Sequence, residues 1–196
     1  MKLLFVRHGE TAKNAKGSMH KTGDSELLNS TGRIQVQKVS KALEAEGVTV
    51  VYSSPEYRAK ESAEILGKML HVKVVTLGEL AERNWGKWEQ RTWPKIKADL
   101  TKMSLEERYN FAPPNGESWK QMEQRLKQAL QTIQANNGTP VIVTHMGALR
   151  GLMPILLEEK LEVGIRYEFE NASISTFEYD RKHYKTVKLN STSHLK

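Results

Sequence analysis

Arg7-His8-Gly9-Glu10-Thr11 stands directly after the apolar run Leu3 to Val6. A neutral imidazole is a competent nucleophile towards phosphorus, and a covalent intermediate splits one hard displacement into two easier ones. The neighbouring arginine offers a planar fork matched to phosphate oxygens, and glycine lets backbone come close to a ligand. Alone, the string also suits a surface Arg-His pair followed by a turn glycine. Two further stretches change the balance. Ser53-Ser54-Pro55-Glu56-Tyr57-Arg58-Ala59 puts Arg58 in the first turn of a helix that follows an apolar run, and Val143-Thr144-His145-Met146-Gly147 sets a second histidine before a glycine. A lone histidine in such a place is more often a structural hydrogen-bonder than a catalyst. Two histidines and two arginines at equivalent places are hard to attribute to chance.

Other designs for handling phosphate are missing. There is no G-x-x-x-x-G-K-[ST], no G-x-G-x-x-G and no H-E-x-x-H. The three aspartates, Asp24, Asp99 and Asp180, are too few and too far apart for an aspartyl-phosphate or two-metal site. The chain has no cysteine, which excludes disulfides, thiol catalysis and cysteine-ligated zinc and fits a reducing, cytoplasmic setting. The chemistry left for phosphate is that of histidine, arginine and glutamate, with no metal and no cofactor.

The elements that must position these residues can be read from periodicity. Residues 2–7 form a strand, and 31–46 form a helix stopped by Gly47. Val48 to Ser53 is a second strand, and Pro55 opens a helix to about Leu70. A short strand, Val72 to Val75, follows. Residues 92–108 read as one polar helix, 112–116 as a loop, and Trp119 to Ile133 as a helix striped with apolar residues. Pro140 to Thr144 is a strand, 147–157 an apolar helix, and the tail alternates around Ile174, Thr176 and Tyr184 to Leu189. Alternating strands and helices predict an α/β fold, a mostly parallel central sheet flanked by helices on both faces. Ligands bind such sheets where strands end and helices begin, and all three suggestive stretches fall there. A helical insertion near 85–116 is expected over the site.

The 196 residues suit a single domain spanning 1–196, with no repeat or linker to divide it. Met1 to Arg7 briefly resembles a signal peptide, but its apolar stretch is short and ends in Arg-His-Gly-Glu, so it reads as a buried strand. No apolar run is long enough to span a bilayer, and no membrane partner is expected. The net charge of +7 favours anionic partners, yet the basic residues are scattered and no basic stripe interleaves with aromatics. Nucleic acid is therefore not an expected partner.

Taken together, these motifs resemble the histidine phosphatase superfamily, which includes cofactor-dependent phosphoglycerate mutases and many small phosphatases. Arg7-His8-Gly9-Glu10-Thr11 with Asn14 is similar to the family signature, and Leu28 to Gln35 to its next segment. Arg58 fits the second arginine, and His145 the second histidine. Leu80-Ala81-Glu82-Arg83-Asn84-Trp85-Gly86-Lys87-Trp88-Glu89 resembles the segment bearing the proton donor, and Pro114-Asn115-Gly116-Glu117-Ser118 a substrate-side loop. The resemblance implies that His8 carries the phosphoryl group while Arg7, Arg58 and His145 surround its oxygens. Glu82 would be the general acid and base, with a pKa raised towards neutrality in a pocket flanked by Trp85 or Trp88. Asn14, Gly9, Met146, Arg83 and Glu117 are the expected substrate-binding residues.

Met146 departs from the small residue common at its position, and Gln90 replaces a frequent glycine. The tryptophans at 85, 88, 93 and 119 are expected in core or lid packing, with Trp93 and Arg91 the preferred substrate contacts on the insertion. Only about thirty residues, Trp85 to Asn115, separate the glutamate segment from the Gly-Glu-Ser loop, which resembles the short phosphatase branch rather than the mutases. The expected activity is hydrolysis of a small phosphorylated metabolite. The alternatives are a phosphoglycerate mutase and a non-catalytic binding protein, the latter disfavoured because all five central residues are present. The alternating C-terminal strands could pair two copies as a homodimer.

Overall fold

The computed structural model describes residues 1–196, except for the side chain of Leu161. Six strands form one sheet: β1 (Lys2–Arg7), β2 (Val48–Ser53), β3 (Val74–Thr76), β4 (Thr139–Thr144), β5 (Ile174–Tyr179) and β6 (Tyr184–Ser191), in the order β3-β2-β4-β1-β5-β6. β3, β2, β4 and β1 run parallel, with Leu4 beside Val141 and Val51 beside Val74. β5 and β6 add antiparallel at one side, so the sheet is mixed and its four-stranded parallel part carries the site.

The two faces of the sheet are separated residue by residue, as strand pleating requires. Leu3 and Phe5 of β1, with Tyr52 and Ile142, pack against α6 (Trp119–Gln134) and α7 (Met146–Leu156). Leu4 and Val6, with Val51, Val141 and Val143, pack against α2 (Ser30–Leu43) and α3 (Tyr57–Leu70). Both faces are covered, which is why the parallel strands read as continuous apolar runs instead of alternating. In α6 the stripe Met122, Leu126, Ala129 and Ile133 is fully buried. Met122, Leu126 and Ile133 each contribute about 1.5–3 kcal/mol through lost water contact.

Local signals set most boundaries. Asn29 caps α2 by accepting from the Gly32 N–H, and Gly47 takes the left-handed conformation (φ 64°) after a 3-10 turn at Glu44–Glu46. The helix expected from Pro55 begins at Tyr57, because Glu56 is still extended (φ −70°, ψ 142°). The short third strand lies at 74–76, since Val72 donates to Gly67 and closes α3. The single helix expected over 92–108 is two: α4 (Trp93–Leu100) and α5 (Leu105–Asn110). Ser104 and Glu107 form a capping box that starts α5 afresh. A single helical turn, α1 (Ala12–Ala15), was not anticipated; Thr11 and Asn14 cap it reciprocally.

Candidate active site

The C-terminal ends of β1, β4 and β2, three adjacent strands, deliver His8, His145 and Arg58 to one crevice. Backbone bonds lock the three turns together: His8 N–H donates to Thr144 (2.9 Å) and Ser54 N–H to Val143 (3.0 Å). The crevice is a cavity of about 390 Å³ whose walls include Arg7, His8, Asn14, Arg58, Glu82 and Arg83.

His8 is buried, and its Nδ1 lies 2.8 Å from the carbonyl of Gly9. A carbonyl can only accept, so Nδ1 carries the proton and Nε2 keeps its lone pair. Burial, then the charges of His145, Arg7 and Arg58, push the His8 pKa well below its ordinary value. His8 is therefore a neutral imidazole with a free nitrogen, the state that a nucleophile requires.

Three cationic or donor groups surround it. Arg7 is anchored through Nη1 to the Phe169 carbonyl (2.6 Å), and its buried Nε has no partner among the described residues. Arg58 is fully buried, its Nη1 3.4 Å from Asp24, and its Nε likewise lacks a partner. The ring of His145 stands 5.1 Å from that of His8, and its Nδ1 is a third buried atom without one. Buried polar atoms are almost always satisfied. Three orphans around one imidazole mark a place built for an oxygen-rich anion.

Glu82 closes the site from the other side. Its carboxylate accepts from the backbone N–H groups of Arg83 (2.8 Å), Gly147 (3.1 Å) and Ala148 (3.1 Å). The last two belong to the N-terminus of α7, where the helix dipole also favours negative charge. The Glu82 pKa is lowered in the free protein, against the expectation of a raised one. Burial does push it up, but His145, the Arg83 and Gly147 N–H groups and Arg58 outweigh burial and hold it below the ordinary glutamate value. In the free enzyme Glu82 is a carboxylate.

Comparison with known proteins places the chain in a family. Residues 3–192 match the histidine phosphatase superfamily (branch 1). The chain belongs to that superfamily. It is 31% identical over 186 residues to the probable phosphoglycerate mutase GpmB of Erwinia tasmaniensis, covering 92% of this chain and 86% of that protein. It is 26% identical to putative phosphoserine phosphatase 2 of Hydrogenobacter thermophilus, covering 100% and 98%. Among solved structures, Bacillus stearothermophilus YhfR superposes with a TM-score of 0.85 at 27% identity, covering 100% of this chain and 99% of that one.

Within this histidine phosphatase, the other expected site residues divide. Asn14 lines the cavity; its Oδ1 is taken up by Thr11 and Asn171, which leaves the amide N–H groups as the free donors. Met146 and Arg83 also line it. Gly9 does not. It serves through its backbone, fixing the His8 tautomer and packing against α2, where a Cβ would run into Gly32 and Val36. Glu117 does not either: it accepts from Asn84 N–H (2.9 Å) and Arg125 (2.5 Å), bracing the strand of chain that carries Glu82. Arg91 pairs with Asp99 and lies over Trp88, away from the cavity, whereas Trp93 lines it. Trp85 and Trp119 line it too, sandwiching the Arg83 guanidinium at 4.1 and 4.7 Å, while Trp88 packs on Phe111.

The insertion closes this end of the cavity as anticipated, and a second compartment of about 450 Å³ continues beneath it, reaching Lys97, Arg108 and Arg150. Several contributors had no sequence signal strong enough to single them out. His20 packs edge-on to His8 (5.9 Å) and bonds Thr11 and Asp24. Asn171, from the loop before β5, donates to the His8 carbonyl (3.1 Å). Glu56 and Ser54 stand behind His145. Among the described residues, no group of three or more His, Asp or Glu side chains is placed to hold a metal ion.

Proposed function

We propose that the protein hydrolyses phosphomonoesters of small metabolites through a phosphohistidine on His8. The observation that carries this is the free Nε2 of a neutral, buried imidazole set beside unpartnered nitrogens of Arg7, Arg58 and His145. Nε2 attacks phosphorus in line, the P–O bond to the alcohol breaks, and Nδ1–H stays on the Gly9 carbonyl throughout. Arg7, Arg58, His145 and the Asn14 amide receive the phosphoryl oxygens, where charge spreads in the transition state.

Glu82 gives a proton to the leaving alcohol oxygen, then as carboxylate takes one from the water that displaces His8 and frees inorganic phosphate. Its first role requires a proton that the free enzyme does not hold there. A dianionic phosphoryl group seated beside Arg58 offsets the charge that helps keep Glu82 ionised and adds negative charge of its own, so substrate binding itself raises its proton affinity.

The alcohol portion of the substrate extends past Met146 along the Trp85, Trp93 and Trp119 wall. Arg83 is buried there with an unpartnered Nη1, so the alcohol carries an oxygen acceptor, best a carboxylate. Turnover without a metal ion, a cytoplasmic setting and a single domain over 1–196 belong to the same reading.

The test is phosphate release from p-nitrophenyl phosphate in EDTA, with a search for acid-labile phosphoenzyme. His8→Ala should lose turnover by about 10³-fold or more and form no phosphoenzyme. Undiminished activity in that variant overturns the mechanism. The 31% identical relative bears a mutase name, and a mutase would interconvert 2- and 3-phosphoglycerate with little phosphate released.

A further inference from the structure

Behind His145 lies a buried acid that the phosphoryl chemistry above does not use. Glu56, in the extended residue before α3, places Oε2 3.0 Å from His145 Nε2, with the two side chains 9% and 0% exposed. Ser54 Oγ lies 2.6 Å from the same nitrogen and also bonds Glu56 Oε2. The other carboxylate oxygen, Oε1, accepts from the Glu82 N–H at 3.1 Å. One carboxylate thus touches both the second histidine and the backbone of the proton-carrying glutamate.

The hydrogen-bond inventory fixes who donates. Glu56 is ionised: burial opposes this, but His145, Ser54 and Arg58 together bring it down to about 2. An ionised carboxylate only accepts, so Nε2 of His145 carries its proton towards Glu56. In a neutral ring Nδ1 would then hold a lone pair, and Nδ1 is the nitrogen left without a partner beside His8. A lone pair facing phosphoryl oxygens repels them.

We propose that Glu56 is a positioning residue that keeps both nitrogens of His145 protonated while a phosphoryl group is bound. The proposal rests on the phosphatase reading above. The groups facing His145 are Glu56 and Ser54 from the turn after β2, Arg58 from α3, Glu82 from across the cavity and His8 from the end of β1. In the free protein burial and Arg58 keep His145 less basic than an ordinary histidine, against the pull of Glu56 and Glu82. An arriving phosphoryl dianion tips this balance, and His145 takes up a proton at Nδ1 that it donates to a phosphoryl oxygen. The same positive charge further disfavours protonation of His8, which keeps the nucleophile neutral. Glu56 supplies the counter-charge that makes this possible without solvent.

The test reads the histidine nitrogens by NMR in the full-length protein, with and without saturating inorganic phosphate, alongside the pH dependence of kcat. Wild type with phosphate should show His145 protonated at both nitrogens near neutral pH, and at one in its absence. In Glu56→Gln, whose amide can still accept from Glu82 N–H, the doubly protonated form should be lost. Its kcat should fall about tenfold, and any alkaline limb of kcat should move down by about one pH unit or more, with KM little changed. A neutral His145 in the wild-type phosphate complex overturns the proposal, even if Glu56→Gln does not fold. So does a folded Glu56→Gln protein whose His145 titration and pH profile are unchanged. Failure of phosphate to bind at all overturns the phosphatase reading first, and this proposal with it.

Discussion

The carboxylate of Glu82 occupies the space where a side chain on Gly147 would begin. A Cβ there would overlap Oε1, while the Gly147 N–H donates to Oε2 at 3.1 Å. The glycine two residues after the second histidine is thus needed for the close approach of the glutamate to the N-terminus of α7, and not for an unusual backbone angle.

Gly147→Ala should therefore displace Glu82 without harming the helix. Alanine favours helix over glycine by up to about 1 kcal/mol, so Tm should hold or rise slightly while kcat falls by about 10- to 100-fold. Thermal melts beside steady-state kinetics check this. A drop in both would instead point to a packing defect around α7.

Glu82→Gln should separate the two chemical steps. p-Nitrophenolate leaves without an acid, so His8 should still be phosphorylated and a stoichiometric burst of p-nitrophenol should survive. Hydrolysis of the phosphoenzyme needs the base, and turnover should fall by about 10²- to 10⁴-fold. Stopped-flow absorbance reads both. Loss of the burst would place the role of Glu82 before phosphorylation.

Arg83→Met should discriminate between substrates. The thioether stem keeps much of the packing between Trp85 and Trp119 but removes the orphan Nη1. KM for a phosphomonoester bearing a carboxylate should rise by about tenfold or more, and KM for p-nitrophenyl phosphate should change little. Equal effects on the two would show that Arg83 supports the cavity and does not read the alcohol.

Stability should fall on mild acidification. His20 is held down to about 4, by burial and then by Arg58, against an ordinary value of 6.5, and His8 and His145 are shifted in the same direction. Between pH 6.5 and 4 the unfolded chain binds protons there that the folded protein refuses, so folding weakens as pH falls through that window. Asp24 and Glu56, both near 2, are depressed carboxylates whose contribution is lost lower, as pH drops below about 4. The Tm of His20→Gln should decline less steeply over the upper window, as read by circular dichroism. An identical slope in the variant would remove His20 from this account.

Local chemistry was legible wherever a short segment carries its own reason. The apolar runs of β1, β2 and β4 read as strands because both faces of the parallel sheet are buried. Gly47 stopped its helix as anticipated, since a residue without a Cβ takes the left-handed conformation easily. The break between α4 and α5 escaped because the polar residues from 92 to 108 carry no single apolar stripe, and the capping box at Ser104 is a weak signal beside that. Gly9 was expected at the substrate because glycine lets backbone come close to a ligand, and Glu117 because its segment resembles a substrate-side loop. Neither ground says which way a group turns once the chain is folded.

Arg7, His8, Arg58 and His145 could be singled out from the sequence by itself, because residue type and position after a strand are properties of a short stretch of chain. Glu82 was singled out only by the resemblance of the segment around it. The approach of Glu82 to α7, the sandwiched Arg83 and the Glu56–His145 pair were decided only by the tertiary structure. Each joins segments tens of residues apart, and the proton held by each group depends on burial and neighbouring charge. Those exist only once β1, β2 and β4 lie side by side.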